Sequence, residues 1–483
     1  MSLIGDNLKN PKRIFGLMGV LCTLAVSWHM FEVASTGAIT VYTFGGWPSE
    51  FGIVFVLDRL AATMVLLTNV LALFAYLYAI TGPDTQAPSF HFLFLMQITG
   101  VNGAFLTGDL FNLFVMFEIL LLTAYVLVVY GSGPARTRTG MQYVFLNLVG
   151  SALFLIAIGV IYGLTGTLNM AGIAQKMALL GPQDAMLLRA SSYLLLIVFA
   201  VKAGLFPLYF WLPHSYAAVS APVAALFAIM TKVGVYALLR STTMMFGPGQ
   251  GLVEELAKPY LLPAALITLV MAVLGAMAAT KLRTMTAYLL LASIGTMLAG
   301  IGLFTHAAIS GSLYYLLHST LVMGALFLVA DLVMSQRGPD VRDAFKPGPK
   351  IRQPVLVGML FFVAVVAVAG LPPLSGFLGK AQILWAAIPT ESMVLVWTVV
   401  LVTSFFTLVA LSRAATTLFW KTTDDVETRS SEAGWKVFPI VALLTCIIGM
   451  TIFAGPIVGH TDATASQLLS PSDYINAVTQ EAP

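Results

Sequence analysis

Charge and cysteine are what this sequence has least of. Of its 483 residues only 9% are Asp, Glu, Lys or Arg, against about 25% in soluble globular domains, and that shortage excludes a soluble fold. The two cysteines, Cys22 and Cys446, each sit inside an apolar run, which argues against a disulfide framework and leaves too few thiols for a metal cluster. The net charge of +3 is small and scattered, so nucleic acid is not an expected partner. There is no CxxC, no pair of histidines at helical spacing and no phosphate-binding glycine loop. No cofactor, no metal and no catalytic centre are expected.

What is present is apolar: 59% of the chain, with a mean hydropathy of +0.92. Only a bilayer solvates that much apolar surface, and about twenty apolar residues in a row read as a spanning helix. In a window of about 19 residues thirteen such segments appear, near 14–32, 59–82, 88–107, 109–130, 141–163, 190–212, 220–241, 260–280, 285–304, 308–334, 354–389, 394–420 and 437–459. The runs have no alternation at period 2, which excludes a barrel. The eleventh is too long for one plain helix and contains Gly370-Leu371-Pro372-Pro373; proline removes a backbone donor and clashes with the preceding turn, so a broken helix is expected there. The sixth is similar, with Pro207 and Pro213 after Lys202. The fold class expected is an all-α polytopic membrane protein with about 13 (13–14) spans. Residues 164–189 read as a surface loop with a short amphipathic piece, and no soluble domain is expected. The first run is too long for a cleaved signal peptide and lacks a small-residue cleavage site.

Lysine and arginine in the loops orient the spans. With the N-terminus inside and thirteen crossings, fifteen of them fall in cytoplasmic segments: Lys9, Lys12, Arg13, Arg136, Arg138, Lys281, Arg283, Arg337, Arg342, Lys346, Lys350, Arg352, Lys421, Arg429 and Lys436. Five fall outside: Arg59, Lys176, Arg189, Arg240 and Lys258. The N-terminus is therefore expected in the cytoplasm and the C-terminus outside a plasma (inner) membrane.

Four cations lie within spans, Lys202, Lys232, Lys380 and Arg413, with one deep acid, Glu118. A charge at mid-helix costs about 2.5–3.5 kcal/mol on insertion scales and usually faces a bundle interior or water. For Glu118 the plain alternative is a structural ion pair locking two helices; the functional reading is a proton or ion site. Lys202 strengthens the latter, because a proline-broken helix at membrane depth is tolerated where it lines a water-filled cavity. Burial disfavours a charged lysine and a nearby carboxylate favours it, so a lysine whose partner moves becomes a switchable proton site. Lys380 stands seven residues after Pro373, and the same device is expected a second time. His318 lies on a polar stripe with Tyr314 and Tyr315, and its ordinary pKa suits a shuttle, although a lone histidine is as often a packing residue. Thr286, Ser293 and Thr296 share a face of the preceding helix and can line such a path. His214 follows the break at Pro213 and is kept as secondary lining. Arg413 reads as an anchor that can snorkel.

Residues 1–107 hold the first helices and an extracytoplasmic loop; 88–241 and 260–420 are two five-helix blocks, and 421–483 a last helix and tail. Each block has its broken helix fourth. Five is odd, so the blocks are oppositely oriented, and inverted repeats with discontinuous helices are an architecture of secondary transporters.

Lys202-Ala203-Gly204-Leu205-Phe206-Pro207 through Trp211-Leu212-Pro213-His214-Ser215-Tyr216-Ala217, and Ser220-Ala221-Pro222-Val223-Ala224-Ala225-Leu226, resemble the proton-translocating antiporter-like family. That family includes the large membrane-arm subunits of respiratory complex I, membrane-bound hydrogenases and the multisubunit Mrp cation/proton antiporters. Gly45-Gly46-Trp47-Pro48, Phe51-Gly52-Ile53-Val54, Asp58-Arg59, Gly108-Asp109-Leu110-Phe111-Asn112-Leu113-Phe114 and the run Ala369 to Lys380 are most similar to its Mrp D-type members. The resemblance covers about residues 40–455. It implies that Glu118 and Lys202 form the family's carboxylate–lysine pair. It also implies that Lys232 is the central lysine, with His318 between it and the terminal Lys380. It implies fourteen spans, the first of which has no counterpart among the thirteen read here, and Ser293 stands where some complex I relatives carry histidine. The expected function is a subunit of a multisubunit antiporter exchanging Na⁺ or another monovalent cation for H⁺, not an enzyme, with other membrane subunits and the lipid bilayer as partners. A proton-pumping subunit of a redox complex, with no redox centre of its own, is the second reading. A non-conducting scaffold is the third.

Overall fold

The computed structural model describes residues 10–86, 89–129, 134–249, 251–338, 340–423 and 434–480, apart from the side chains of Gln86, Pro134, Ala135, Arg136 and Gln480. Of the fifteen cations counted above, Lys9, Arg429 and the side chain of Arg136 therefore lie outside the described residues.

The chain is mostly helical. Helix α1 spans Pro11–Ser35, α2 Arg59–Ala79, α3 Phe90–Leu106, α4 Leu110–Val129, α5 Pro134–Thr165, α6 Met170–Met177, α7 Ala185–Ala203, α8 Trp211–Ala218 and α9 Ala221–Arg240. There follow α10 Lys258–Ala278, α11 Leu282–Ile301, α12 His306–Arg337, α13 Pro354–Ala369, α14 Ser375–Ala387, α15 Met393–Phe419, α16 Gly434–Ile452, α17 Ala454–Leu469 and α18 Pro471–Gln480. Among the described residues eleven helices are long and apolar enough to cross a membrane, and α3 and α13 are shorter apolar helices. The starts follow helix-entry chemistry: proline in the first turn of α1, α9 and α13, and side-chain caps from Asp58, Asn169 and Thr305 that satisfy amides without an intrahelical acceptor.

The all-α expectation needs one correction. Strands β1 (Thr40–Thr43) and β2 (Val54–Leu57) pair antiparallel, and β3 (Gly348–Pro349) and β4 (Thr422–Thr423) pair parallel. The hairpin is made by β-branched and aromatic residues flanking a turn at Gly45 and Gly46, both with positive φ. The polar tail also folds, as α17 and α18.

Burial is lopsided. All twenty residues of α9 are buried, and α11 and α12 are nearly so, whereas α1, α5 and α15 keep large apolar residues such as Phe15, Phe145 and Phe405 exposed. An apolar exterior around a sealed helical centre is what a lipid surround demands, because each backbone group is satisfied within its own helix.

Candidate functional site

Both expected breaks are present. Helix α7 ends at Gly204 (φ 82°) and α13 at Gly370 (φ 76°). In each, the next residue turns its N–H back to the carbonyl five residues earlier: Leu205 to Ala200, and Leu371 to Val366. A glycine is needed at both points because the left-handed conformation crowds a Cβ.

At the first break, Lys202 occupies the last turn of α7 and is buried. Its Nζ donates to Asn147 O (3.4 Å), Asn147 Oδ1 (3.5 Å) and Ser151 Oγ (3.4 Å), all on α5. Ser151 in turn donates to Glu118 Oε1 of α4 in a short hydrogen bond. The expected carboxylate–lysine pair is thus assembled from three helices and relayed by a hydroxyl. Phe117 adds its ring 5.7 Å from Nζ. Ser151 was not singled out from sequence; its spacing of four from Asn147, on one face of an otherwise apolar helix, was the available signal.

Lys232, on α9, is completely buried, and its Nζ has no hydrogen-bond partner among the described residues. Two residues on, Gly234 lets α9 lie directly on the end of α7: a Cβ there would collide with the backbone of Ala203.

His318, buried on α12, has Nδ1 2.9 Å from Ser375 Oγ at the start of α14, and its Nε2 and the Ala367 carbonyl of α13 both crowd the point where a Cβ on Gly376 would stand. It thus touches both arms of the second break. Tyr315 lies beside it, with ring centroids 5.8 Å apart. Lys380 sits on α14, and its Nζ donates to Ala369 O and Ser404 Oγ, each at 3.0 Å. It lines a cavity of about 440 Å³ with Phe377, Trp385, Trp397 and Phe405.

The device is therefore not the same twice. Lys202 precedes its break and points away to α5, whereas Lys380 follows its break and folds back onto it. Ser293 and Thr296 are buried, but their hydroxyls donate to Leu290 O and Ala292 O of their own helix. His214, kept from sequence as secondary lining, is exposed on α8. Arg413 donates to Met277 O (2.6 Å) and Ala279 O (3.3 Å), so the expected anchor closes the C-terminal end of α10.

Two further charged clusters were not read from sequence. Asp58 and Arg240 form a buried ion pair of 2.6 Å that joins the start of α2 to the end of α9. Arg13 pairs with Asp84 at 2.5 Å, with His91 at 3.4 Å from the same carboxylate. Burial alone would raise the Asp84 carboxyl, but hydrogen bonds and charge from His91 and Arg13 outweigh it and hold it below the usual carboxylate value.

Residues 107–407, which include Glu118, Lys202, Lys232, His318, Lys380 and both breaks, match the family described as NADH:quinone oxidoreductase/Mrp antiporter, transmembrane. The chain belongs to that family. It is 37% identical to the D component of a probable K⁺/H⁺ antiporter of Rhizobium meliloti, over 98% of this chain and 94% of that protein. It is 35% identical to the D component of an Na⁺/H⁺ antiporter of Alkalihalophilus pseudofirmus, over 97% of this chain and 94% of the relative. Among solved structures it superposes on a chain of the Mrp complex from a Dietzia species with a TM-score of 0.86, 25% identity, and coverage of 99% of this chain and 96% of that one. A chain of the archaeal membrane-bound sulfane sulfur reductase gives a TM-score of 0.87 at 26% identity, covering 96% and 94%.

Proposed function

We propose that this chain is the D-type component of a multisubunit Mrp-type antiporter, exchanging Na⁺ or another monovalent cation for H⁺, and that it carries protons along Glu118, Lys202, Lys232, His318 and Lys380. The observation that carries this reading is the Glu118–Ser151–Lys202 chain beside a helix break. Its middle member is a hydroxyl, which can donate and accept at once, and its ends are one acid and one base. The groups suit protons better than a bare cation: a dehydrated sodium ion wants several oxygens, and Glu118 is the one deep carboxylate among the site residues. The cation path then belongs to a partner subunit. The chain acts as a transporter subunit rather than an enzyme.

The same reading takes α3 and α13 as spans beside the eleven longer helices, with α7–α8 and α13–α14 each crossing once, for thirteen crossings. Residues 88–241 and 260–420 form two inverted five-helix repeats, a division supported by the matching turns at Gly204 and Gly370. The N-terminus is cytoplasmic and the C-terminus outside a plasma (inner) membrane. The loop charges support this, and three of the basic segments are tied together at one end by the Lys281–Ala344 bridge and the pairing of Gly348 with Thr422.

A proton-pumping subunit of a redox complex is the second reading, favoured by the likeness to the sulfane sulfur reductase chain. Cation-driven proton flux in vesicles, with and without companion subunits, decides between them. Flux driven by Na⁺ or K⁺ in the full complex supports antiport; flux that appears only with a redox donor overturns it.

A further inference from the structure

The two arms of the first break are held by different parts of the molecule. The incoming arm, α7, ends in Lys202, which is bonded to Asn147 and Ser151 of α5. The outgoing arm, residues 205–219 with α8 at its end, is gripped at both ends by helices that follow it. At its start, the Phe206 N–H donates to Thr268 Oγ1 of α10 at 2.9 Å, and the fully buried Thr268 donates onward to Ala264 O at 2.6 Å. At its far end, the Val219 carbonyl accepts from Nη2 of the buried Arg283 on α11. The backbone of Arg283 is itself pinned, its N–H donating to Asp343 Oδ2 at 3.0 Å. Just before the first grip, Gly204 lies against Leu291 of α11: a Cβ there would stand 3.4 Å from Leu291 Cδ1.

A backbone donor left over at a helix break needs an acceptor of some kind. A hydroxyl from anywhere would meet that need. Here it comes from the opposite block, a second cross-block bond holds the other end of the same arm, and Lys202 stands two residues before the joint. We infer that Thr268 and Arg283 are positioning residues for Lys202. They fix α8 to the second half of the molecule, so that a displacement of α10 or α11 reaches the Lys202–Ser151–Glu118 chain through the turn at Gly204. This inference rests on the proton-path reading given above.

The test uses the full complex in everted vesicles and compares Thr268→Val, which keeps the shape and removes the hydroxyl, with Thr268→Ser, which keeps the hydroxyl. Hydrogen exchange in the peptide 204–210 reads the joint itself; the pH profile of cation-driven proton flux reads Lys202. For Thr268→Val the Phe206 amide is expected to exchange about tenfold faster or more. The pH of half-maximal flux is expected to move by about half a unit or more, and Thr268→Ser restores both. Faster exchange with a wild-type pH profile makes the bond a structural tie only and overturns the inference, as does unchanged exchange. If Thr268→Val lowers the amount of complex, Arg283→Met tests the other grip by the same two measurements and the same criteria. Failure of the underlying reading looks different: Lys202→Ala would then transport normally, while the exchange measurement would still report the joint.

Discussion

The Lys380 ammonium lies 3.0 Å from the carbonyl oxygen of Ala369, across the helix break that separates α13 from α14. Lys202, at the other break, bonds to a neighbouring helix instead. Lys380 thus bonds an end-of-helix carbonyl strongly while it is charged and more weakly as the neutral amine, so that its proton and the geometry of the break depend on each other. Arginine keeps its proton under all ordinary conditions. Lys380→Arg is therefore expected to leave less than about a tenth of wild-type flux at equal expression. Arg413→Lys is expected to keep most of it, because capping Met277 and Ala279 needs only a cation. Normal flux from Lys380→Arg together with a dead Arg413→Lys would reverse these roles.

Glu118→Ala and Lys202→Ala are each expected to abolish antiport in an assembled complex, and Glu118→Asp to retain part of it. Ser151→Ala separates the two ends of the chain without removing either charge, and a loss of about 100-fold is expected, at the low end of the range for a single proton-transfer group. Wild-type flux from assembled Glu118→Ala would end the proton-path reading.

The Arg13–Asp84 pair gives a prediction about acid stability. Because the folded-state value of Asp84 is depressed, its contribution is present above the ordinary carboxylate value of about 4 and is lost as pH falls through the lower folded value. Asp84→Asn removes the carboxylate that balances the buried Arg13 charge, and a cost of about 3–5 kcal/mol is expected. The thermal midpoint of the detergent-solubilised protein should drop at pH 7, and the gap from wild type should narrow as the medium is acidified below about pH 4.

The proposed orientation is checked by labelling. Cysteines introduced within 335–352 should react only from the cytoplasmic side, and those within 462–480 only from outside. The opposite pattern would mean a miscounted crossing.

The long apolar helices and both breaks were legible because their signals are dense and local: long apolar runs, and prolines around the start of α8 and between α13 and α14. The intramembrane charges stood out for the same reason, since little else in the chain is charged. What stayed hidden depends on pairing between distant segments. Ser151, Ser375 and Ser404 are ordinary serines until folding puts each beside a titratable group. Asp58 stood out only within a motif and Arg240 only in the count of loop charges, and neither gave a sign of meeting the other. The hairpin β1–β2 escaped notice because its four-residue strands are far shorter than a membrane span. His214 was assigned from its nearness in sequence to a break, and the turn of α8 points it outward.

Helix α9 has no lipid-facing side. It carries Lys232, packs on α2, α3 and α7 before it, and on α12 after it. On the ribosome it emerges before the helix that will cover it exists. Until α12 arrives, a face of α9 borders whatever fills that place, and a span with an unpaired lysine is poorly suited to lipid alone. The first block therefore reaches its final packing only after most of the second has been made. Although the chain reads as two similar units, its biogenesis is that of one, and separately produced halves would have to find each other before either is complete.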